Sequence, residues 1–178
     1  PAMFIPQIAR KLILAFSNEG DTVCDIFCGS GTTLVESSLL NRSSVGIELN
    51  PLAVLIAKVK TTPIDPKQLT SGLKQIITDF SKNNDTELPS FKNIEFWFSK
   101  KVIKELSQIK HAIKYLKDDK LINFFYVCLS EVVRIVSYTR HGEFKLFRSP
   151  DKLTDRFNPK VFEEFIKICE KNILGMKE

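Results

Sequence analysis

The chain has 178 residues, 43% hydrophobic and 26% charged, with a net charge of +5 and a pI near 9.0. That is enough apolar material for one domain with a buried core, and it excludes a disordered or low-complexity chain. The mild basicity suits a nucleic-acid partner without demanding one. Cys24, Cys28, Cys128 and Cys169 form no C-x-x-C pair, and only His111 and His141 accompany them, so no metal site of zinc spacing is expected. Free thiols point to a reducing compartment, here the cytoplasm. The most apolar run, residues 121–136, is short and contains Asn123, Glu131 and Arg134. It reads as a buried helix and not as a membrane span.

In chain order, residues 3–16 carry apolar side chains at helical spacing, with Pro6 suited to a first turn. Residues 17–21 form a turn. Residues 22–28, "TVCDIFC", read as a short buried strand ending at Gly29. A helix follows over 32–40, closed by Asn41-Arg42, then a second strand over 44–49 and a second helix over 51–60 with Pro51 in its first turn. This strand–helix–strand–helix order is the start of a doubly wound parallel sheet. Beyond it the pattern turns helical, over 66–82, 99–116, 119–138 and 159–174. A loop is expected at 83–93 and a basic irregular stretch at 139–157. Two strands make a poor sheet, so part of a domain is expected to lie elsewhere.

The stretch "VCDIFCGSGTTLVE" (23–36) is a strand running into Gly-x-Gly and then a helix. Such a turn lets backbone N–H groups approach a ligand. Glu48 follows about 20 residues after Gly29, at the end of the second strand, where a carboxylate can accept hydrogen bonds from both ribose hydroxyls. A nicotinamide dinucleotide fits poorly, because Leu34 stands where a third small residue belongs and Asp25 would face a pyrophosphate. A P-loop fails because Thr32-Thr33 stands where a lysine is needed. An acid facing a sulfonium and an amino group is favourable, so S-adenosylmethionine is the preferred cofactor.

"DIFCGSGTTLVES" followed by "SSVGIELNPLAVLIAKVKT" resembles the cofactor motifs of the DNA amino-methyltransferases, which modify adenine N6 or cytosine N4. Ile26 stands where the family's usual motif has proline. Residues 1–13 resemble the family segment that closes over the methionine end of the cofactor. The resemblance covers roughly residues 1–62. It implies a partial Rossmann-like α/β methyltransferase domain with a helical insertion. It further implies that Asp25, Gly29 and Gly31 line the methionine side of the pocket, with Phe27 and Ser30 on the same turn. Thr32 and Thr33 would open the helix, Glu48 would hold the ribose, Leu49 would touch the adenine, and Phe4 and Pro6 would pack at the rim.

The family's second motif is (Asp, Asn or Ser)-Pro-Pro-aromatic, whose polar group binds the target amine and whose ring stacks on the flipped base. No Pro-Pro occurs in this chain, and "SPDK" at 149–152 lacks both the second proline and the ring. No catalytic residue is therefore assigned, and the chain alone is expected to be inactive. Three readings stay open: a fragment of the enzyme, a subunit whose catalytic half is a separate chain, or a degenerate regulatory module. An RNA methyltransferase fragment is a further alternative.

The expected organisation is a cofactor-binding β-α-β portion over 1–65 and a mainly helical portion over 66–178. In the latter, the basic stretch interleaves Arg140, Lys145 and Arg148 with Phe144 and Phe147, a pattern suited to DNA. The lysines of the 99–116 helix read as a solvated face, His141 as non-catalytic, and Trp97 as a core residue.

Overall fold

Pro6 presets the first turn of α1 (Pro6–Phe16), and Asn50 caps α3 (Pro51–Lys60) by accepting a hydrogen bond from Leu52 N–H. Both helices stand where apolar spacing places them. The computed structural model describes residues 5–82, 87–140, 146–153 and 157–176, and the chain divides into two compact units, residues 1–63 and 64–178.

In the first unit, β1 (Thr22–Asp25) pairs in parallel with β2 (Ser43–Gly46), in the register Thr22↔Ser43 to Asp25↔Gly46. The crossover is α2 (Thr32–Leu39), which ends where Asn41 takes a left-handed φ of 59°. Both strands are shorter than the sequence suggests, and neither is buried. Their residues are all exposed or half-buried. Parallel strands are normally buried because helices cover both faces and neighbours pair both edges. Here the described sheet has two strands, and Ile26, Val45, Ile47 and Leu49 remain exposed.

Two polar links tie the elements of this unit together. Arg10 Nε donates to Glu36 Oε2 at 3.0 Å, joining α1 to α2. Arg42, a buried cation, donates from Nε to Ser17 Oγ and from Nη2 to Ser17 O, with Nη1 on Leu40 O. Its charge is thus spread over three acceptors at the end of α1 and the entry to β2, which is how a buried guanidinium is tolerated.

The second unit contains α4 (Pro66–Lys82), a one-turn α5 (Ile94–Trp97), α6 (Lys100–Lys114), α7 (Asp119–Val136) and α8 (Val161–Gly175). Ser99 and Asp118 cap α6 and α7 by accepting from Val102 N–H and Lys120 N–H. The apolar stripes of the four long helices meet in one core containing Leu69, Ile76, Ile109, Ile113, Phe125, Val132, Val161 and Phe165. Each such side chain contributes on the order of 1.5–3 kcal/mol by leaving water. Gly72 lets α4 approach α7, because a Cβ there would lie 3.0 Å from the Phe125 ring. Phe80 and Phe162 stack at 3.8 Å between centroids, joining α4 to α8. No helix among the described residues is long and apolar enough to cross a membrane.

Two expectations change here. Trp97 is half-buried and not a core residue, because α5 is too short to bury a full face and the indole packs edge-on against Phe96 at 4.9 Å. The described residues after α7 are more regular than the composition of this stretch suggests. Thr139 and Arg148 form an antiparallel bridge, with Arg140 N–H on Phe147 O and Ser149 N–H on Tyr138 O, both at 2.8 Å. A 3-10 turn follows over Pro150–Leu153.

Candidate functional site

The carboxyl ends of β1 and β2 carry the two acids singled out in the sequence. Asp25 is the last residue of β1, and Glu48 lies two residues past its partner Gly46. The ladder continues as Ile47 N–H donates to Asp25 O at 2.9 Å and Cys28 N–H to Ile47 O at 3.1 Å. These bonds bring the glycine turn and the Glu48 segment side by side. Ligands of open α/β sheets bind at this end of the strands.

Both acids are held by local backbone. Asp25 Oδ1 accepts from Phe27 N–H at 3.1 Å, and Glu48 Oε1 accepts from Asn50 N–H at 2.8 Å. Among the described residues, the other oxygen of each carboxylate has no hydrogen bond, so each keeps an acceptor for a ligand. Their combined field is felt at Cys28, whose thiol is pushed above its usual pKa by burial, then by Asp25 and Glu48. The thiol is thus held neutral, which argues against a nucleophilic role.

The turn itself depends on glycine. Gly29 has φ 51° and Gly31 has φ 82°, both left-handed. A Cβ on Gly31 would lie 2.8 Å from Ala57 Cβ, so α3 crosses close over the start of α2. A Cβ on Gly29 would meet nothing within 4 Å, so the backbone there is open to a ligand. Open backbone beside two half-free carboxylates fits a cationic, ribose-bearing cofactor.

The remaining predicted residues fall around this turn. Ser30, Thr32 and Thr33 are half-buried at the entry to α2, while Phe27 and Leu49 are exposed, at 84% and 96%. Pro6 opens α1 on an exposed surface; Phe4 lies outside the described residues. In the second unit, Arg140 and Arg148 come together on the bridge after α7, and Lys145 lies outside the described residues.

Two residues at the turn escaped sequence reasoning. Lys60, at the end of α3, reaches Ser30 Oγ with Nζ at 3.5 Å. The residue as a whole is exposed, yet desolvation around its ammonium lowers its pKa. No local pattern signals a contact between residues thirty apart. Gly46 is the other: a Cβ there would lie 2.8 Å from both Cys28 Sγ and Leu34 Cδ1.

Residues 1–59 match the family model of the N6/N4 methyltransferases, described as DNA methylase. Among curated proteins, the chain is 39% identical to the type II methyltransferase M.MvaI of Kocuria varians over 98% of its length, covering 41% of that relative. It is 29% identical to the type II methyltransferase M.MjaII of Methanocaldococcus jannaschii over 89% of its length, covering 30% of that protein. The orphan methyltransferase M.BamHII of Bacillus amyloliquefaciens matches a shorter stretch, 48% identical over 28% of this chain and 19% of its own. The chain thus spans less than half the length of these relatives. No solved structure matches. These findings support an N6-adenine or N4-cytosine type DNA amino-methyltransferase, by the family model over residues 1–59 and by the type II methyltransferases matched over most of this chain.

Proposed function

We propose that this chain is the S-adenosylmethionine-binding portion of an enzyme that methylates an exocyclic amino group of DNA, adenine N6 or cytosine N4. The observation that carries the reading is the pairing of Asp25 and Glu48 at the ends of adjacent parallel strands, around left-handed Gly29 and Gly31. Two curated relatives matched over most of this chain are named as type II methyltransferases, which supports the same reaction and a place in DNA methylation.

The cofactor, when bound, supplies an electrophilic methyl group on a sulfonium. Asp25 would attract the positive sulfonium and amino end, and the free oxygen of Glu48 would accept from the ribose hydroxyls. Gly29, Ser30, Gly31, Thr32 and Thr33 would present the backbone and hydroxyls of the turn. Phe27 and Leu49 would cover the pocket with apolar surface, Leu49 against the adenine, with Phe4 and Pro6 at its rim. Lys60, beside Ser30, would meet the methionine carboxylate, the cofactor's one anionic group.

On this reading residues 1–65 form the cofactor-binding part of a Rossmann-like sheet, and residues 66–178 form a helical part facing DNA through Arg140, Lys145 and Arg148. The exposed apolar residues beside the two-stranded sheet support completion by further strands, from another segment or a separate chain, bearing the Pro-Pro-aromatic motif. The chain by itself would then bind cofactor without transferring methyl groups, in the cytoplasm.

Calorimetric titration of the chain with S-adenosylmethionine tests this. Binding that Asp25→Ala and Glu48→Ala each weaken at least tenfold is the expected result. A folded chain that binds no cofactor, even when joined to the catalytic part, sinks the reading. Methyl transfer to structured RNA in preference to duplex DNA, once the catalytic part is supplied, changes the substrate class.

A further inference from the structure

Two cations of the segment after α7 differ in how they are satisfied. Lys152 Nζ donates to Ile135 O at 3.1 Å and to Ser137 O at 3.0 Å, and lies 5.2 Å from the Phe157 ring centroid. Burial lowers its pKa. Its charge serves the frayed carbonyls at the end of α7, as a lysine at a helix C-terminus does. Lys152 is therefore structural, although it lies in the basic stretch after α7.

Arg148 has the opposite arrangement. Its guanidinium carbon lies 4.2 Å from the Phe96 ring centroid and 5.4 Å from that of Tyr138. The backbone of Tyr138 is held beside α5, since its N–H donates to Trp97 O at 2.9 Å and its carbonyl accepts from Ser149 N–H at 2.8 Å, and Phe96 packs edge-on against Trp97. Yet Arg148 Nε is buried and has no hydrogen-bond partner, and the guanidinium makes no ion pair with any described residue. Stacking satisfies the π-face of a guanidinium and leaves its in-plane N–H donors unused. A desolvated donor without an acceptor is costly, and an acceptor brought into that plane would relieve the cost. The surroundings suit a nucleic-acid chain, because Leu146, Phe147 and Phe96 are exposed beside it.

We propose that Arg148 is a preorganised anchor for a single backbone phosphate of duplex DNA, with its stack on Phe96 and Tyr138 fixing the plane in which the phosphate is gripped. This deepens the proposed function and rests on DNA being its substrate. A planar guanidinium locked on aromatic faces loses little conformational freedom when it forms a two-pronged contact with phosphate oxygens. Such a contact positions the duplex without reading its sequence.

The test is fluorescence anisotropy of the full chain with a labelled duplex across a salt series, for wild type, Arg148→Gln, Arg148→Lys and Lys110→Gln. The glutamine variant keeps a planar polar group over the rings and serves as the folded control, checked by its thermal melt. Arg148→Gln is expected to weaken binding about tenfold and to reduce the slope of log K against log salt by about 0.9, the change expected when one phosphate is no longer neutralised. Arg148→Lys should retain most of the slope and recover only part of the affinity, because an ammonium cannot grip two oxygens in one plane. Lys110→Gln, on α6, should change little. Unchanged affinity and slope in folded Arg148→Gln overturn the proposal, as does a wild-type chain that binds no duplex at low salt or prefers structured RNA. Cofactor titration of the same preparations separates the failures: retained S-adenosylmethionine binding leaves the cofactor reading standing while the anchor falls.

Discussion

The two units of this chain bury their apolar residues to very different extents. Every one of the largest fully buried side chains lies in the helical unit, whereas the first unit buries chiefly small or peripheral apolar residues such as Ala9, Ile13, Ala57 and Val59. The first unit also leaves Phe16, Phe27, Ile47 and Leu49 more than half exposed. The cause lies in the elements themselves. Amphipathic helices α4, α6, α7 and α8 can close one core by turning their stripes toward each other. A two-stranded parallel sheet has two faces and two edges to cover, and α1–α3 with one partner strand cannot cover them all. The unit that carries the candidate site is thus the less self-sufficient of the two.

Four experiments would break or sharpen that contrast. The largest effect is expected at Phe125, which is fully buried against Gly72, Phe124 and Phe165. Phe125→Ala should cost about 3–5 kcal/mol, read as a lowered denaturation midpoint of the helical signal. If the loss is below ~1 kcal/mol, the helical unit is not the well-packed one. Gly31→Ala should cost the first unit about 1–3 kcal/mol, from left-handed strain together with the 2.8 Å approach to Ala57. Hydrogen exchange should show that loss in β1, α2 and β2 while α7 and α8 keep their protection. Equal loss in both units would mean that they unfold as one.

Lys60→Met should weaken S-adenosylmethionine three- to tenfold by calorimetry, on the scale of about one charged hydrogen bond, and should leave a decarboxylated analogue unaffected. Equal weakening of both ligands would remove Lys60 from the carboxylate role. The smallest effect concerns Cys169, fully buried, whose thiol is pushed well above 9.0 by burial and by hydrogen bonding with Cys128. Below pH 9.0 the thiol is protonated in both folded and unfolded chains. Above it the unfolded chain gives up the proton and the folded chain holds it, so this contribution to stability falls as pH rises. The stability advantage of wild type over Cys169→Ala should shrink between pH 8.5 and 10 as monitored by thermal melts; a constant difference would show that the thiol is not shielded.

Local pattern made most of the elements legible. Pro6, Asn50-Pro51, Ser99 and Asp118 announce helix starts through backbone restriction and capping, and those helices begin within a residue or two of where the pattern puts them. The glycine turn between Asp25 and Glu48 was legible as backbone geometry, because that geometry depends on order and spacing along a β-α-β unit. Trp97 misled, because a large apolar side chain on a one-turn helix has no face to bury. The strands misled in length and burial, because apolar residues in a run cannot say whether neighbours exist to cover them.

The sequence by itself determined the parallel strand–helix–strand order and the left-handed glycine turn between Asp25 and Glu48, since these follow from local conformational preference and fixed spacing. Only the tertiary structure decided which cations are spent and which are available. Lys60 meets Ser30 across thirty residues, Lys152 is consumed by the carbonyls of α7, and Arg148 is stacked but unsatisfied. A charge's role depends on the partners and solvent that the fold leaves around it, and that environment is assembled from segments distant in the chain.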